Sequence, residues 1–309
     1  MTTQSVTPMR AAGLPIPEQL VKAIKYLRGD EGGLEWLTAL DGMLREYMTR
    51  WKLQLGSIAE GGAMSCCVFC IGEDGTDLVL KVPVEPRSGV GEAATLRRWV
   101  AFDVAPRVVH VDATSGVFLM ERVLPGTTFA GIGGVEDLPP FLEMFDRLEG
   151  AGRKMDRLDV PELSSLMDDR LGWARVRFDD PEVAPLRPNL EFVAELANSL
   201  GHAGNKELIH GDLQAKNVLW GPNGRIFCID PLTAWGDRAS DVAMWAVLQD
   251  TNVPITAILR ALTAQSALDP ERLDDWAYAI ATIELRPAQA ERYSRQRQFL
   301  DEYERAHMS

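Results

Sequence analysis

The chain has 309 residues, about twice the usual domain size, so one two-lobed domain or two domains is expected. Hydrophobic residues make up 46% and charged residues 25%, which excludes a disordered chain and needs no disulfide or metal staple. With 32 Lys plus Arg against 45 Asp plus Glu, the net charge of −13 argues against a general nucleic-acid binder. An acidic surface suits a cationic small substrate, and it equally serves solubility. No apolar run approaches the ~18–20 residues of a membrane span, and residues 1–13 lack the pattern of a secretory signal. Those residues are expected to be flexible.

Residues 16–27 and 34–51 carry helical spacing, with a break at Gly29 to Gly33. From Lys52 the period becomes two. Strands are predicted over 52–57, 65–71 and 76–82, then over 108–111 and 117–123, with a helix over 89–102 between the two groups. That makes a five-stranded antiparallel sheet with one inserted helix. After Leu124-Pro125-Gly126 the pattern turns helical, over 140–150, 163–178, 190–200, 238–249, 255–262 and 270 to the end. A short hairpin over 218–229 interrupts it. The expected architecture is α+β, a small sheet lobe over 1–123 and a larger helical lobe over 124–309.

Four cysteines occur, and Cys67 and Cys70 form a Cys-x-x-Cys pair. Zinc or redox chemistry is one reading. No second Cys pair or His cluster completes a metal site, so a small-residue strand in a reduced, cytoplasmic protein is the preferred one.

Chemistry concentrates in residues 208–233, which hold His210, Asp212, Asn217 and Asp230. Residues 218–220 and 225–229 read as the two strands of a hairpin turning at Gly221-Pro222-Asn223-Gly224. In an antiparallel hairpin the start of the first strand lies beside the end of the second. Asn217 and Asp230 are therefore expected to meet, with Asp212 on the loop feeding the same end. Asn plus Asp is an all-oxygen pair that suits Mg²⁺. A second carboxylate beside it is free to accept a hydroxyl proton. Each residue alone also reads as a turn or cap residue. The joint spacing His-x-Asp-x-x-x-x-Asn, with Asp thirteen residues beyond Asn, favours the site.

His210-Gly211-Asp212-Leu213-Gln214-Ala215-Lys216-Asn217 resembles the Brenner-type catalytic loop of aminoglycoside phosphotransferases, enzymes of protein-kinase-like fold. Ile229-Asp230-Pro231 resembles their metal-binding element. The resemblance implies that Asp212 orients and deprotonates the acceptor hydroxyl. Asn217 and Asp230 would hold Mg²⁺, His210 would brace the loop, and Asp241 would buttress it from the next helix. It extends from about residue 20 to the C-terminus. It is nearest to the streptomycin 6-kinase and hydroxyurea phosphotransferase branch, on the Gly29-to-Trp36 segment, the Asp74-Gly75-Thr76…Leu80-Lys81-Val82 strand pair and Ile229-Asp230-Pro231.

The same resemblance assigns the nucleotide to the sheet lobe. Lys81 lies on an apolar strand and needs an anionic partner, for which Glu92, eleven residues on, is the candidate. A surface Lys and a solvated Glu are the alternative. No P-loop is present. Glu60-Gly61-Gly62-Ala63-Met64-Ser65 stands where a glycine-rich loop belongs, which makes Ser65 a candidate phosphate contact. Gly131, Gly133 and Gly134 follow no strand and are set aside. Met120-Glu121-Arg122-Val123 matches the hinge, whose main-chain groups at Glu121 and Val123 would read the purine. It reads otherwise as a plain edge strand.

The expected activity is an antibiotic-resistance kinase that transfers the γ-phosphate of ATP or GTP to a hydroxyl of an aminoglycoside such as streptomycin, or of a nucleoside-type antibiotic. A metabolic kinase of the choline, homoserine or methylthioribose type is the alternative. For that pocket Trp173, Trp235, Trp245 and Trp276 are the available aromatics. A pseudokinase is disfavoured because Asp212, Asn217 and Asp230 are all present. Asp179, Asp180 and Glu284 are acidic residues that could meet a cationic acceptor. The implied cofactors are Mg²⁺ and ATP or GTP. The implied partner is a small-molecule antibiotic, with no nucleic acid or membrane, acting on a cytoplasmic monomer.

Overall fold

The computed structural model describes residues 9–60, 64–153, 158–202 and 206–307. They group into two compact units. One runs to Arg97 and includes Pro106–Arg122; the other comprises Arg98–Ala105 and the chain from Val123.

The first unit opens with β1 (Arg10–Ala11) paired antiparallel to β2 (Leu14–Pro15). This corrects the expected flexible start for residues 9–13, because Ala11 is buried and its neighbour Ala12 donates its N–H to Asp41. Residues 1–8 lie outside the described residues. Helix α1 (Glu18–Arg50) contains both predicted helices, and Gly29, at φ +74°, kinks it. That left-handed conformation costs glycine little, so the break falls there and helix resumes at once. Leu20, Ile24, Leu37, Leu40 and Leu44 form its buried stripe.

The stripe packs on a sheet of β3 (Gln54–Ile58), β4 (Ser65–Ile71), β5 (Asp77–Pro83), β6 (Val108–Val111) and β7 (Phe118–Glu121). The order is β3-β4-β5-β7-β6 and every pair is antiparallel, as the period-two pattern requires. Alternation divides the residues between faces. Cys66, Val68, Cys70, Leu80 and Val82 belong to the core shared with α1. Ser65, Cys67, Phe69, Val79 and Lys81 occupy the other face, Cys67 directly opposite Lys81. Between β5 and β6 runs α2 (Pro86–Trp99), which starts three residues earlier than predicted. Pro86 supplies the preset φ of a first helical position.

The second unit holds α3 (Pro139–Arg153), α4 (Leu163–Phe178) and α5 (Leu190–His202). Four short strands follow: β8 (Glu207–Ile209), β9 (Val218–Trp220), β10 (Ile226–Cys228) and β11 (Ala234–Gly236). Then come α6 (Arg238–Val247), α7 (Ile255–Ala264), α8 (Pro270–Ile283) and α9 (Ala290–His307). The helical stretch expected from residue 270 to the end consists of two helices. Pro287 lies in the break and has no N–H to continue the ladder. β9 pairs with β10, and β8 pairs with β11 across the intervening loop. Trp245, Trp276, Tyr278, Phe141 and Phe178 fill the core. Among the described residues no helix is long and apolar enough to cross a membrane.

Candidate active site

The β8–β11 pair fixes the two ends of the motif segment. Ile209 stands opposite Ala234, and the Thr233 N–H donates to the His210 carbonyl at 3.0 Å. Between them the β9–β10 hairpin closes with Cys228 opposite Val218, and the Ile229 N–H donates to the Asn217 carbonyl at 2.9 Å. Asn217 thus lies one residue from Asp230 across the ladder, the juxtaposition the hairpin argument predicts. Asp230 has φ +60°, a left-handed conformation that Asp tolerates better than most residues.

Gly211 turns the chain at φ +74°, and a Cβ there would stand 2.9 Å from Leu166 Cδ1. Glycine takes this conformation without the strain a side chain would meet there. His210 is buried and stacks on Trp99, ring centroids 5.8 Å apart. Its Nδ1 is 3.2 Å from the Asp212 backbone N–H and must accept, so Nε2 carries the hydrogen and donates to the Ile229 carbonyl at 3.0 Å. The ring staples the loop to the hairpin.

Asp241, on α6, takes the backbone N–H of His210 at 2.7 Å on one oxygen and that of Gly211 at 2.9 Å on the other. Burial pushes its carboxyl up to about 7, against these two bonds, which favour the anion.

Asp212 is buried, and both of its carboxylate oxygens accept hydrogen bonds. Oδ1 accepts from Arg170 Nη2 at 2.6 Å and Gln214 Nε2 at 2.6 Å. Oδ2 accepts from Asn217 Nδ2 at 3.0 Å, and that same amide donates to the Asp212 carbonyl at 2.8 Å. Both amide hydrogens of Asn217 point to Asp212, so its carbonyl oxygen is the end that can meet a cation. Asn217 and Asp230, brought close by the ladder, offer oxygen donors of the kind Mg²⁺ takes, and Mg²⁺ needs few protein oxygens because it keeps water and phosphate ligands. Among the described residues no cluster of three or more His, Cys, Asp or Glu could hold a metal.

Sequence reasoning missed Arg170. Its signal was legible: a charge among the buried positions Met167, Leu171 and Ala174 of α4. Its second nitrogen, Nη1, pairs with Glu284 Oε1 at 2.8 Å. Glu284 is therefore not the acceptor-facing acid suggested by its charge. It is buried, and burial, which would raise its carboxyl, is outweighed by the Arg170 and Arg286 cations, which hold it below the ordinary range. Asp179 and Asp180 are exposed.

In the first unit Lys81 Nζ meets Glu92 Oε1 at 2.6 Å, with side chains only 4% and 6% exposed. The alternative of a surface lysine is excluded. Ser65 is buried on the Lys81 face, its Oγ 3.7 Å from Cys67 Sγ. Gly61, Gly62 and Ala63 lie outside the described residues. At the end of β7 the Glu121 N–H donates to the Arg107 carbonyl, and the Glu121 carboxylate pairs with Arg107. Only its main chain could serve as a hinge. Val123 belongs to the second unit.

Cys67 and Cys70, three residues apart on β4, face opposite sides of the sheet, and all four cysteines are free. Burial pushes the Cys70 thiol up to about 11, which makes it a poor nucleophile or ligand. The four tryptophans form no cage. Trp245 and Trp276 are fully buried, Trp245 stacked on Phe141, and Trp235 donates to the Leu158 carbonyl, while Trp173 is exposed.

A carboxylate on a braced loop, an Asn–Asp pair closing the adjoining hairpin and a buried Lys–Glu pair on a five-stranded antiparallel sheet define a kinase, a phosphotransferase that uses a nucleotide donor and an alcohol acceptor. Over residues 50–285 the chain matches the aminoglycoside/hydroxyurea antibiotic resistance kinases, and it belongs to that family. It is 27% identical over 275 residues to streptomycin 6-kinase of Streptomyces glaucescens, covering 85% of this chain and 87% of the relative. It is 26% identical over 279 residues to hydroxyurea phosphotransferase of Kitasatospora aureofaciens, covering 86% and 77%. A choline/ethanolamine kinase family protein from Mesorhizobium loti shares the fold, with a TM-score of 0.58 and 17% identity over 84% of this chain and 94% of that one.

Proposed function

We propose that the protein transfers the γ-phosphoryl group of ATP or GTP to a hydroxyl of an antibiotic of the streptomycin class and so inactivates it. The observation that carries this reading is the Asp212 carboxylate, fixed on both oxygens and joined to Asn217, in a chain of the resistance-kinase family. Asp212 aligns the acceptor hydroxyl and takes its proton. Lys81, held by Glu92, and Ser65 contact the donor phosphates, and the main chain at Glu121 and Val123 reads the purine. His210 and Asp241 keep the loop in shape. Asn217 and Asp230 would hold Mg²⁺, which when bound neutralises charge on the transferring phosphate. Because little covalent chemistry falls to the protein, positioning and charge stabilisation supply the rate. The reading includes a monomer working in the cytoplasm, where its four free cysteines stay reduced. The tryptophans removed from the choline-type cage leave no observation that favours a metabolic acceptor.

The test is nucleotide-diphosphate release with Mg²⁺ and either ATP or GTP against streptomycin, hydroxyurea, a nucleoside antibiotic and choline. Asp212→Ala serves as the blank, and product mass is checked for one added phosphate. Transfer to streptomycin supports the proposal. Transfer to choline alone, or to none of the four, overturns it.

A further inference from the structure

Arg170 is the buried charge for which the resemblance offers no role. Its guanidinium spans two carboxylates from separate parts of the fold: Nη2 lies 2.6 Å from Asp212 Oδ1 and 3.1 Å from the Gly211 carbonyl, and Nη1 lies 2.8 Å from Glu284 Oε1. Glu284 Oε2 in turn meets Arg286 Nη2 at 3.0 Å. Side-chain exposure is 6% for Arg170, 11% for Asp212 and 8% for Glu284, while Arg286 is half exposed. Four alternating charges thus run from solvent at the end of α8 to the carboxylate on the loop.

The bonds on Asp212 are unequal in kind. Oδ1 receives two N–H donors at 2.6 Å, which occupy both of its lone pairs. Oδ2 receives one hydrogen bond, from Asn217, with the Lys216 ammonium at 4.0 Å. One lone pair on Oδ2 therefore remains for an acceptor hydroxyl. We propose that Arg170, anchored by Glu284, is a positioning residue that fixes the rotation of Asp212 so that Oδ2 faces the acceptor. This rests on the kinase reading above. Lysine could match the charge but not the geometry, because one ammonium cannot hold two carboxylates from the two separate nitrogens of a planar guanidinium.

Truncating Arg170 alone leaves two buried carboxylates without their cation and is expected to damage folding. The informative variants are R170K, which keeps charge, and R170M/E284M, which removes the Arg170–Glu284 pair together. Each is assayed for streptomycin phosphorylation with Mg²⁺-ATP, for nucleotide affinity by calorimetry and for melting temperature. Misplacing a reacting group by about 1 Å costs about 100-fold in rate, so both variants are expected to lose about that much kcat. Nucleotide Kd should stay within about twofold of wild type, since the change acts on orientation rather than uniform binding. R170M/E284M removes Glu284 together with its cation but leaves Asp212 held only by Gln214 and Asn217, so it is expected to melt below wild type and above R170M. Near-wild-type kcat in either variant overturns the positioning role. An inactive wild type, with neither transfer nor nucleotide hydrolysis, overturns the kinase reading and this inference with it. An active wild type beside two folded, slow variants sustains both.

Discussion

Asp241→Asn separates the loop's grip from its ionisation. The wild-type carboxyl is pushed up from 3.8 to about 7, chiefly by burial. Between those values the native state holds a proton that the unfolded chain has released, so stability falls as pH rises through this window. Each pH unit crossed inside it costs about 1.4 kcal/mol, and pH 5 to 7 crosses two, a loss of about 3 kcal/mol in wild type that asparagine cannot show. Other titrations cancel when the two proteins are compared at each pH. The stability gap between them should therefore move by about 3 kcal/mol, or about 6–12 °C of melting temperature, from pH 5 to pH 8. Turnover should go the other way. The anion accepts N–H bonds from both His210 and Gly211, whereas the protonated acid gives up part of one acceptor. Wild-type kcat should rise through pH 7, while D241N, which points an N–H at a backbone N–H, stays low throughout. Melting curves and initial rates at half-unit pH steps measure both. A gap constant within about 0.5 kcal/mol from pH 5 to 8 would show that the buried carboxyl titrates like an exposed one, and would refute the reasoning.

Three further outcomes follow from the geometry. Gly211→Ala forces a side chain into φ +74° and into Leu166, so a loss of about 1–3 kcal/mol in a denaturant melt is expected, with kcat reduced at least about tenfold. Lys81→Met/Glu92→Leu replaces a buried pair with apolar groups. It should melt within a few degrees of wild type yet lose nucleotide binding in a fluorescent-analogue titration, whereas Glu92→Leu alone orphans a charge and should cost about 3–5 kcal/mol. Alkylation and mass measurement should count four thiols, and reductant should leave the melting temperature unchanged, because Cys67 and Cys70 lie on opposite faces of one strand.

What the sequence made legible was local. The five-stranded sheet follows from period-two alternation and turn residues, and the His210–Asn217 segment carries its roles in a short spacing that a hairpin closes. The β8–β11 pair was not legible, because two three-residue strands separated by a long loop leave no periodic signal. The Arg170–Glu284 pair joins residues 114 apart, and nothing in either neighbourhood names the other. The break between α8 and α9 could have been read from Pro287. Charge alone set Glu284 among the acids that could meet a cationic acceptor, whereas it lies at the end of α8 where Arg170 reaches it.

The placement of charge separates sites of chemistry from sites of mere stability. Many ion pairs of this chain are exposed, as at Arg45–Asp41 and Lys52–Glu73, where each contributes little. Lys81–Glu92, Arg170–Asp212 and Arg170–Glu284 are buried. Burying an ion pair gains no stability over a well-packed apolar pair and often loses some. A chain selected for stability alone would replace these residues with leucine and methionine. Two of the three pairs include Lys81 or Asp212, the residues that the catalytic-loop resemblance ties to donor phosphate and acceptor hydroxyl, and the third shares its arginine with Asp212. The cost of burial is borne where a charge must be held in one orientation. The proposed positioning role of Arg170 and Glu284 accounts for a burial cost that packing between α4 and α8 would not by itself require.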